Sequence, residues 1–140
     1  MGYIKKYSDK RLISKKKEQK ESELFFEKAI ELFEEHPYSL ESNKYISNIN
    51  RLNICHIFPK RKYKSVQYDL KNIILLTGDE HTRFDTLLDR MDFEKLEQEF
   101  KSWNLIKKQM IELLPFIEER GNLYLKFSDY EFLKKKTNVL

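Results

Sequence analysis

Apolar positions along the chain change their period twice, and each change marks a new kind of element. Ser14 can cap a helix, and Leu24, Phe25, Ile30, Leu32 and Phe33 supply it with an apolar side, so a helix is expected over 14–36. Pro37 stops it. Residues 1–13 before it read as a basic arm. From Tyr38 the pattern shortens: β-prone pieces at 44–47 and 54–58 alternate with Asn, Ser and Lys, and Pro59 ends the second piece. Asn72, Ile73, Ile74, Leu75 and Leu76 form an apolar strand, and Thr77 and Gly78 turn it into a helix that begins near Asp79. The order over 38–91 is therefore strand, loop, strand, helix.

A long helix is expected from Asp92, because Phe93, Leu96, Phe100, Trp103, Met110, Leu114 and Ile117 keep spacings of three, four and seven. Pro115 should kink or end it. Gly121 and Asn122 make a turn, after which Ser128 and Glu131 form the capping box of a last short helix ending in Lys134, Lys135 and Lys136. These elements predict an α+β fold over 1–140. An N-terminal helix and a helical part over 92–140 flank the strand-and-helix unit, with no internal repeat and no second domain.

Composition narrows the class. A domain of 140 residues can bury a conventional core, and 36% charged with 40% hydrophobic side chains describes a folded chain rather than a disordered one. Three Gly and three Pro argue against a loop-rich or all-β fold. No apolar run approaches the roughly 20 residues of a membrane span, and no charged-then-apolar secretion signal opens the sequence, so a cytoplasmic protein without a membrane partner is expected. A lone cysteine, Cys55, can form neither an internal disulfide nor a zinc cage by itself.

The net charge of +4 is the residue of larger alternating blocks. Residues 1–20 carry eight basic and two acidic side chains and residues 51–76 carry six and one, whereas 21–50 and 77–100 are each net negative. Such blocks suit an anionic partner, although lysine-rich surfaces also serve solubility alone.

The chemistry concentrates between Asn53 and Asp89. Hydrolysis of a phosphodiester needs a base for water and a divalent cation for the phosphate charge. His56, at a strand end before a proline-fixed loop, offers an imidazole whose ordinary pKa near 6.5 suits a base at neutral pH. His81 and Asp85 stand at i and i+4, so both project from one helix face and can hold a hard cation. The loop carrying Lys60, Arg61, Lys62 and Lys64 can contact phosphates, or can simply be solvated. Asn72 is a turn-former that can pin a loop. The stripe from Phe93 to Ile117 reads as core or as a dimer seam, which leaves a homodimer open, and His36 reads as a helix-end residue.

The run His56, Ile57, Phe58, Pro59, Lys60, then Asn72, Ile73, Ile74, Leu75, then Glu80, His81, Thr82, Arg83, Phe84, Asp85 resembles the HNH (His-Asn-His, ββα-metal) endonucleases common in bacteriophages. The resemblance covers about a third of the chain. It implies a ββα-metal finger acting on DNA in a bacterial host cell, with His56 as general base, Asn72 pinning the loop that holds it, and His81 as metal ligand. Asp85 falls where relatives have a second ligand or a phosphate-contacting group. Mg²⁺ is the expected ion, with Mn²⁺, Ni²⁺ or Zn²⁺ as alternatives.

Two departures from the family pattern bear on this. Ser39 and Ser42, and Thr77 and Glu80, stand at what look like the positions of zinc-binding cysteine pairs, so no structural zinc is expected. Cys55 stands where many members have a metal-binding Asp or His; it is either a small core residue, the reading preferred, or a thiolate ligand favouring softer ions. The alternative function is therefore a catalytically degenerate HNH-like module that binds nucleic acid, such as a phage structural or packaging-associated protein. RNA binding is weaker still, because no aromatic recognition motif is visible.

Overall fold

Side-chain alternation in two short strands sets the layering of the molecule. The computed structural model describes residues 9–60, 62–90 and 92–119. Strands β1 (Ile54–His56) and β2 (Ile73–Leu75) pair antiparallel, with Ile54 opposite Leu75, Cys55 opposite Ile74 and His56 opposite Ile73. Alternate residues point to opposite faces. Ile54, Ile73 and Leu75 accordingly join one buried cluster, and Cys55 and Ile74 join the other. A sheet covered on both faces explains why β2 reads as an unbroken apolar run.

Helix α1 (Asp9–Glu34) covers the first face with Phe25, Phe26 and Ala29, supported by Ile30 and Phe33. Its buried positions follow i, i+4 spacing, which leaves Leu24 and Leu32 of the expected apolar side exposed. The helix also starts earlier than Ser14. Ser14 lies inside it rather than capping it, and Lys, Arg, Gln and Glu around it are strong helix formers. Positions 10–21 are exposed on every side.

The second face is covered by α2 (Gly78–Asp89), α3 (Phe93–Glu99) and α4 (Trp103–Glu119), which contribute Phe84, Leu88, Phe93, Leu96, Trp103, Met110 and Leu114 to the larger cluster. The single long helix expected from Asp92 is thus two. Phe100 turns extended (φ −110°, ψ 117°), and the Glu41 carboxylate accepts from the Lys101 N–H (3.2 Å), the Ser102 N–H (2.9 Å) and the Ser102 hydroxyl (2.8 Å). A distant carboxylate thereby caps α4, and no periodicity could announce it. Pro115 does not end α4, which runs on to Glu119. The Gly121 turn and the helix after Ser128 lie outside the described residues.

The expected strand over 44–47 is only a single bridge between Tyr38 and Tyr45. Asn43, at φ 60°, turns the chain too tightly there for a ladder to extend, and Asn tolerates that conformation better than most residues. This turn has another use. Segments 39–42 and 77–80 meet in space: the Ser39 hydroxyl donates to Glu80, and it accepts from the Glu41 and Ser42 N–H groups at 3.1 and 3.2 Å. Glu80 also accepts from the Thr77 N–H (2.9 Å) and returns its own N–H to the Thr77 hydroxyl (3.3 Å), closing the capping box of α2.

Among the described residues, no helix is long and apolar enough to cross a membrane.

The clasp around Glu80 should be visible in stability. Burial alone would raise the carboxyl pKa, but the bonds from Ser39, Ser42 and Thr77 outweigh it and hold the group below its ordinary range. A depressed value contributes stability that is present above the ordinary carboxylate pKa and lost as pH falls through the folded value. Ser39→Ala should therefore cost about 1–3 kcal/mol in urea unfolding at pH 7. Glu80→Gln should flatten the loss of stability on acidification. An unchanged midpoint for Ser39→Ala would show that the clasp is peripheral.

Candidate functional site

Four segments converge on one cleft of about 610 Å³. Phe26 of α1 forms one side; Arg51, Ile54 and His56 form the floor; Pro59, Lys60 and Lys62 come from the following loop; His81, Asp85 and Asp89 come from α2. A second recess shares Phe25, Phe26, His56 and Lys60 with Lys64, Gln67 and Tyr68. Arg61 lies outside the described residues.

Asn72 fixes the loop between the strands. Its side chain is buried; Oδ1 accepts from the Phe58 N–H at 2.8 Å and Nδ2 donates to the Phe58 carbonyl at 3.0 Å. Its own carbonyl accepts from the Ile57 N–H at 2.8 Å. The amide thus extends the strand pairing by one side-chain rung. Helix α4 packs beneath this loop against the 3₁₀ turns Lys64–Val66 and Leu70–Asn72.

That loop presents the Gln67 carbonyl 3.1 Å from His56 Nε2. A carbonyl can only accept, so Nε2 carries the proton and Nδ1 of the neutral ring keeps its lone pair. The rings of Phe25 and Phe26 lie 5.9 and 6.2 Å from the imidazole. Burial pushes the His56 pKa below its ordinary value and nearby Lys60 adds to this, outweighing the hydrogen bond to Gln67. His56 is therefore a neutral imidazole at neutral pH.

His81 is held in the opposite state. Its Nδ1 donates to the Leu52 carbonyl at 2.6 Å, and its Nε2 lies 3.0 Å from Asp85 Oδ2. With acceptors at both nitrogens the imidazolium is favoured, and the hydrogen bond to Asp85 raises the pKa against the effect of burial. Leu52 is aimed by the turn Arg51–Asn53, whose Asn50 and Asn53 cap one another, while the Asn53 amide donates to the Leu76 carbonyl at 3.1 Å.

Cys55 points from β1 to the α2 side and is fully buried, with Sγ 3.8 Å from Asp85 Oδ1. Burial, and then Asp85, raise its thiol pKa well above the ordinary value. Sγ, His81 and Asp85 each offer a ligand atom, all within 4.8 Å of one another. The donor chemistry suits a divalent cation: a metal can replace the proton that His81 Nε2 shares with Asp85, and Asp89 lines the same wall. A neutral thiol is a poor ligand, so the imidazole and carboxylate dominate.

The structure brings His56, His81, Asp85, Lys60 and Lys62 to one cleft, with Lys64 at the adjoining recess, and sets Cys55 and Asn72 behind it. Two polar lining residues escaped the sequence reading. Asp89 continues the His81, Asp85 spacing by four, a signal that was available. Arg51, whose guanidinium sits 4.5 Å from the centre of the Phe26 ring, had none, because its partner is far away in sequence.

Compared with known proteins, the chain matches no family model, no curated protein and no solved structure.

The two imidazoles should titrate on opposite sides of 6.5, His56 below and His81 above, when followed by NMR of the ring protons and nitrogens. Asp85→Asn should lower the His81 value and leave His56 nearly where it was. Coincident titration of the two rings would contradict the hydrogen-bond assignments.

Proposed function

We propose that the chain is a divalent-metal-dependent DNA endonuclease of the HNH type, hydrolysing phosphodiester bonds with His56 as general base. The observation that carries this reading is the convergence of three unlike functions on one cleft: a neutral imidazole fixed in a single tautomer, an imidazole–carboxylate pair suited to a cation, and the side chains of Arg51, Lys60 and Lys62. The order β1, β2, α2, with His56 at the end of β1, Asn72 entering β2 and His81 in the first turn of α2, supports the ββα-metal reading.

His81 and Asp85 hold the cation, with Asp89 alongside. When bound, it neutralises developing charge on the phosphate and leaving oxygen. Gln67 keeps the proton on His56 Nε2, so Nδ1 takes a proton from the attacking water. The lowered pKa keeps that nitrogen unprotonated at neutral pH, at some cost in base strength. Arg51, Lys60 and Lys62 attract the nucleic-acid backbone, and Arg51 is held by its stacking on Phe26. Cys55 donates to Asp85 Oδ1 and orients the carboxylate rather than binding the ion.

The second reading, a binding module without turnover, draws on Cys55, since a neutral thiol at the cation site leaves two residues to do most of the holding.

Purified protein should nick supercoiled plasmid with Mg²⁺, Mn²⁺ or Ni²⁺ and not with EDTA. Intact plasmid under every metal would favour the binding module. His56→Ala should lower the rate about 10²- to 10⁴-fold and spare metal binding measured by calorimetry. His81→Ala should weaken both, with partial rescue at high Mn²⁺. Normal cleavage by His56→Ala, or parent-like metal binding by His81→Ala, would overturn the assignment of roles.

A further inference from the structure

The recess beside the cleft has a lining that phosphodiester hydrolysis leaves unused. It measures about 190 Å³, with Ser22, Phe25 and Phe26 of α1 on one side and Lys64, Gln67 and Tyr68 of the loop on the other. His56, Phe26 and Lys60 line both the recess and the cleft, so the two spaces share a border at the proposed base. Aromatic rings run on from one to the other: Tyr68 lies 5.6 Å from Phe25, and Phe25 lies 5.9 Å from His56.

Core packing accounts for only part of this aromatic wall. Phe25 is 5% exposed and belongs to the cluster that seats α1 on the sheet, whereas Tyr68 is 37% exposed and belongs to neither buried cluster. Its hydroxyl lies 3.5 Å from the Glu18 carbonyl, which ties the ring to α1. A tethered ring with an open face is a stacking platform. Lys60 and Lys64 are exposed, and among the described residues neither is ion-paired. The nearby acids stand on the other side: burial raises the Tyr68 phenol pKa, and Glu21 and Glu18 of α1 add to it. A phosphate is thus drawn to the loop side and repelled from the α1 side, while an uncharged base can lie between them.

We infer that the recess receives one unpaired base of a DNA strand whose neighbouring phosphate lies in the cleft, an inference that rests on the nucleic-acid reading of that cleft. The base stacks on Tyr68, the side chains of Gln67 and Ser22 meet its edge, and Lys60 and Lys64 take the flanking phosphates. A base inside a duplex is stacked on both neighbours and turned inward, so it enters a slot between a helix and a turn only by leaving the stack. That step costs least where pairing is already absent. The preferred substrates are therefore single strands, flaps and bulges rather than continuous duplex.

The test is fluorescence-anisotropy binding in EDTA to three ligands: an oligothymidine strand of about 12 nucleotides, the same backbone carrying abasic sugars, and a blunt duplex of equal length. The parent should bind the base-bearing strand more tightly than the abasic one. Tyr68→Ala should weaken the first about 5- to 150-fold, the worth of one base–aromatic stack, and leave the abasic strand and the duplex nearly unaffected. Tyr68→Phe, which keeps the ring, should bind like the parent. Equal losses by Tyr68→Ala on all three ligands, no loss on any, or a Tyr68→Phe as weak as Tyr68→Ala would overturn the base pocket. So would a parent that binds the abasic strand as well as the base-bearing one. An oligouridine strand forms a further arm: Tyr68-dependent binding of it, and not of oligothymidine, upholds the pocket and makes the strand RNA. Plasmid nicking is scored separately. Base-dependent binding without nicking under any metal upholds the pocket and removes the endonuclease; nicking with base-indifferent binding does the reverse; a parent that binds none of the ligands at low salt overturns both.

Discussion

The bonds between the Asn72 amide and the backbone of Phe58 are the constraint on which the rest of the site depends. They are buried, they join positions fourteen residues apart, and they satisfy both a donor and an acceptor that would otherwise face the core unpaired. By closing that loop they settle where the Gln67 carbonyl lies, and the carbonyl in turn decides which nitrogen of His56 keeps its lone pair. An asparagine can do this because its amide reproduces a peptide group, extending a ladder that β2 by itself ends at Ile73. Aspartate has the shape but not the donor.

Much of this centre was legible because its signals are local. The apolar runs around Ile54 and Ile73 gave the strands, the i, i+4 spacing of His81 and Asp85 gave the helix face, and Pro59 marked the loop. What escaped reading depends on contacts distant in sequence. Glu41 breaks the expected long helix by capping α4 across some sixty residues, and a hydrophobic period that runs through Phe100 and Trp103 cannot register it. Arg51 enters the site through an aromatic ring on α1. The early start of α1 is different in kind: helix propensity carries the chain through positions where no apolar side exists to reveal it.

The cleft holds its two histidines in opposite protonation states by opposite means. Around His56 the dominant influence is removal of water, which disfavours charge; around His81 it is a carboxylate, which favours it. One sheet register produces both environments, because adjacent residues of β1 face opposite layers: His56 goes to the aromatic side of α1 and Cys55 to the acidic side of α2. A one-residue slip would exchange them and destroy the division.

The anchorage of α2 bears on how the proposed cation site would be filled. Where a structural ion staples a small domain, the supply of that ion and the survival of the fold are one equilibrium. In this chain the helix that presents His81 is fastened through the side chains of Ser39, Thr77 and Glu80, none of which needs a cation or a reduced sulfur. The scaffold therefore stands ready before any ion arrives. If the site takes an ion as proposed, one stripped away by a competing chelator would leave behind a folded, rechargeable protein, so scarcity of metal would idle the site without consigning the chain to degradation.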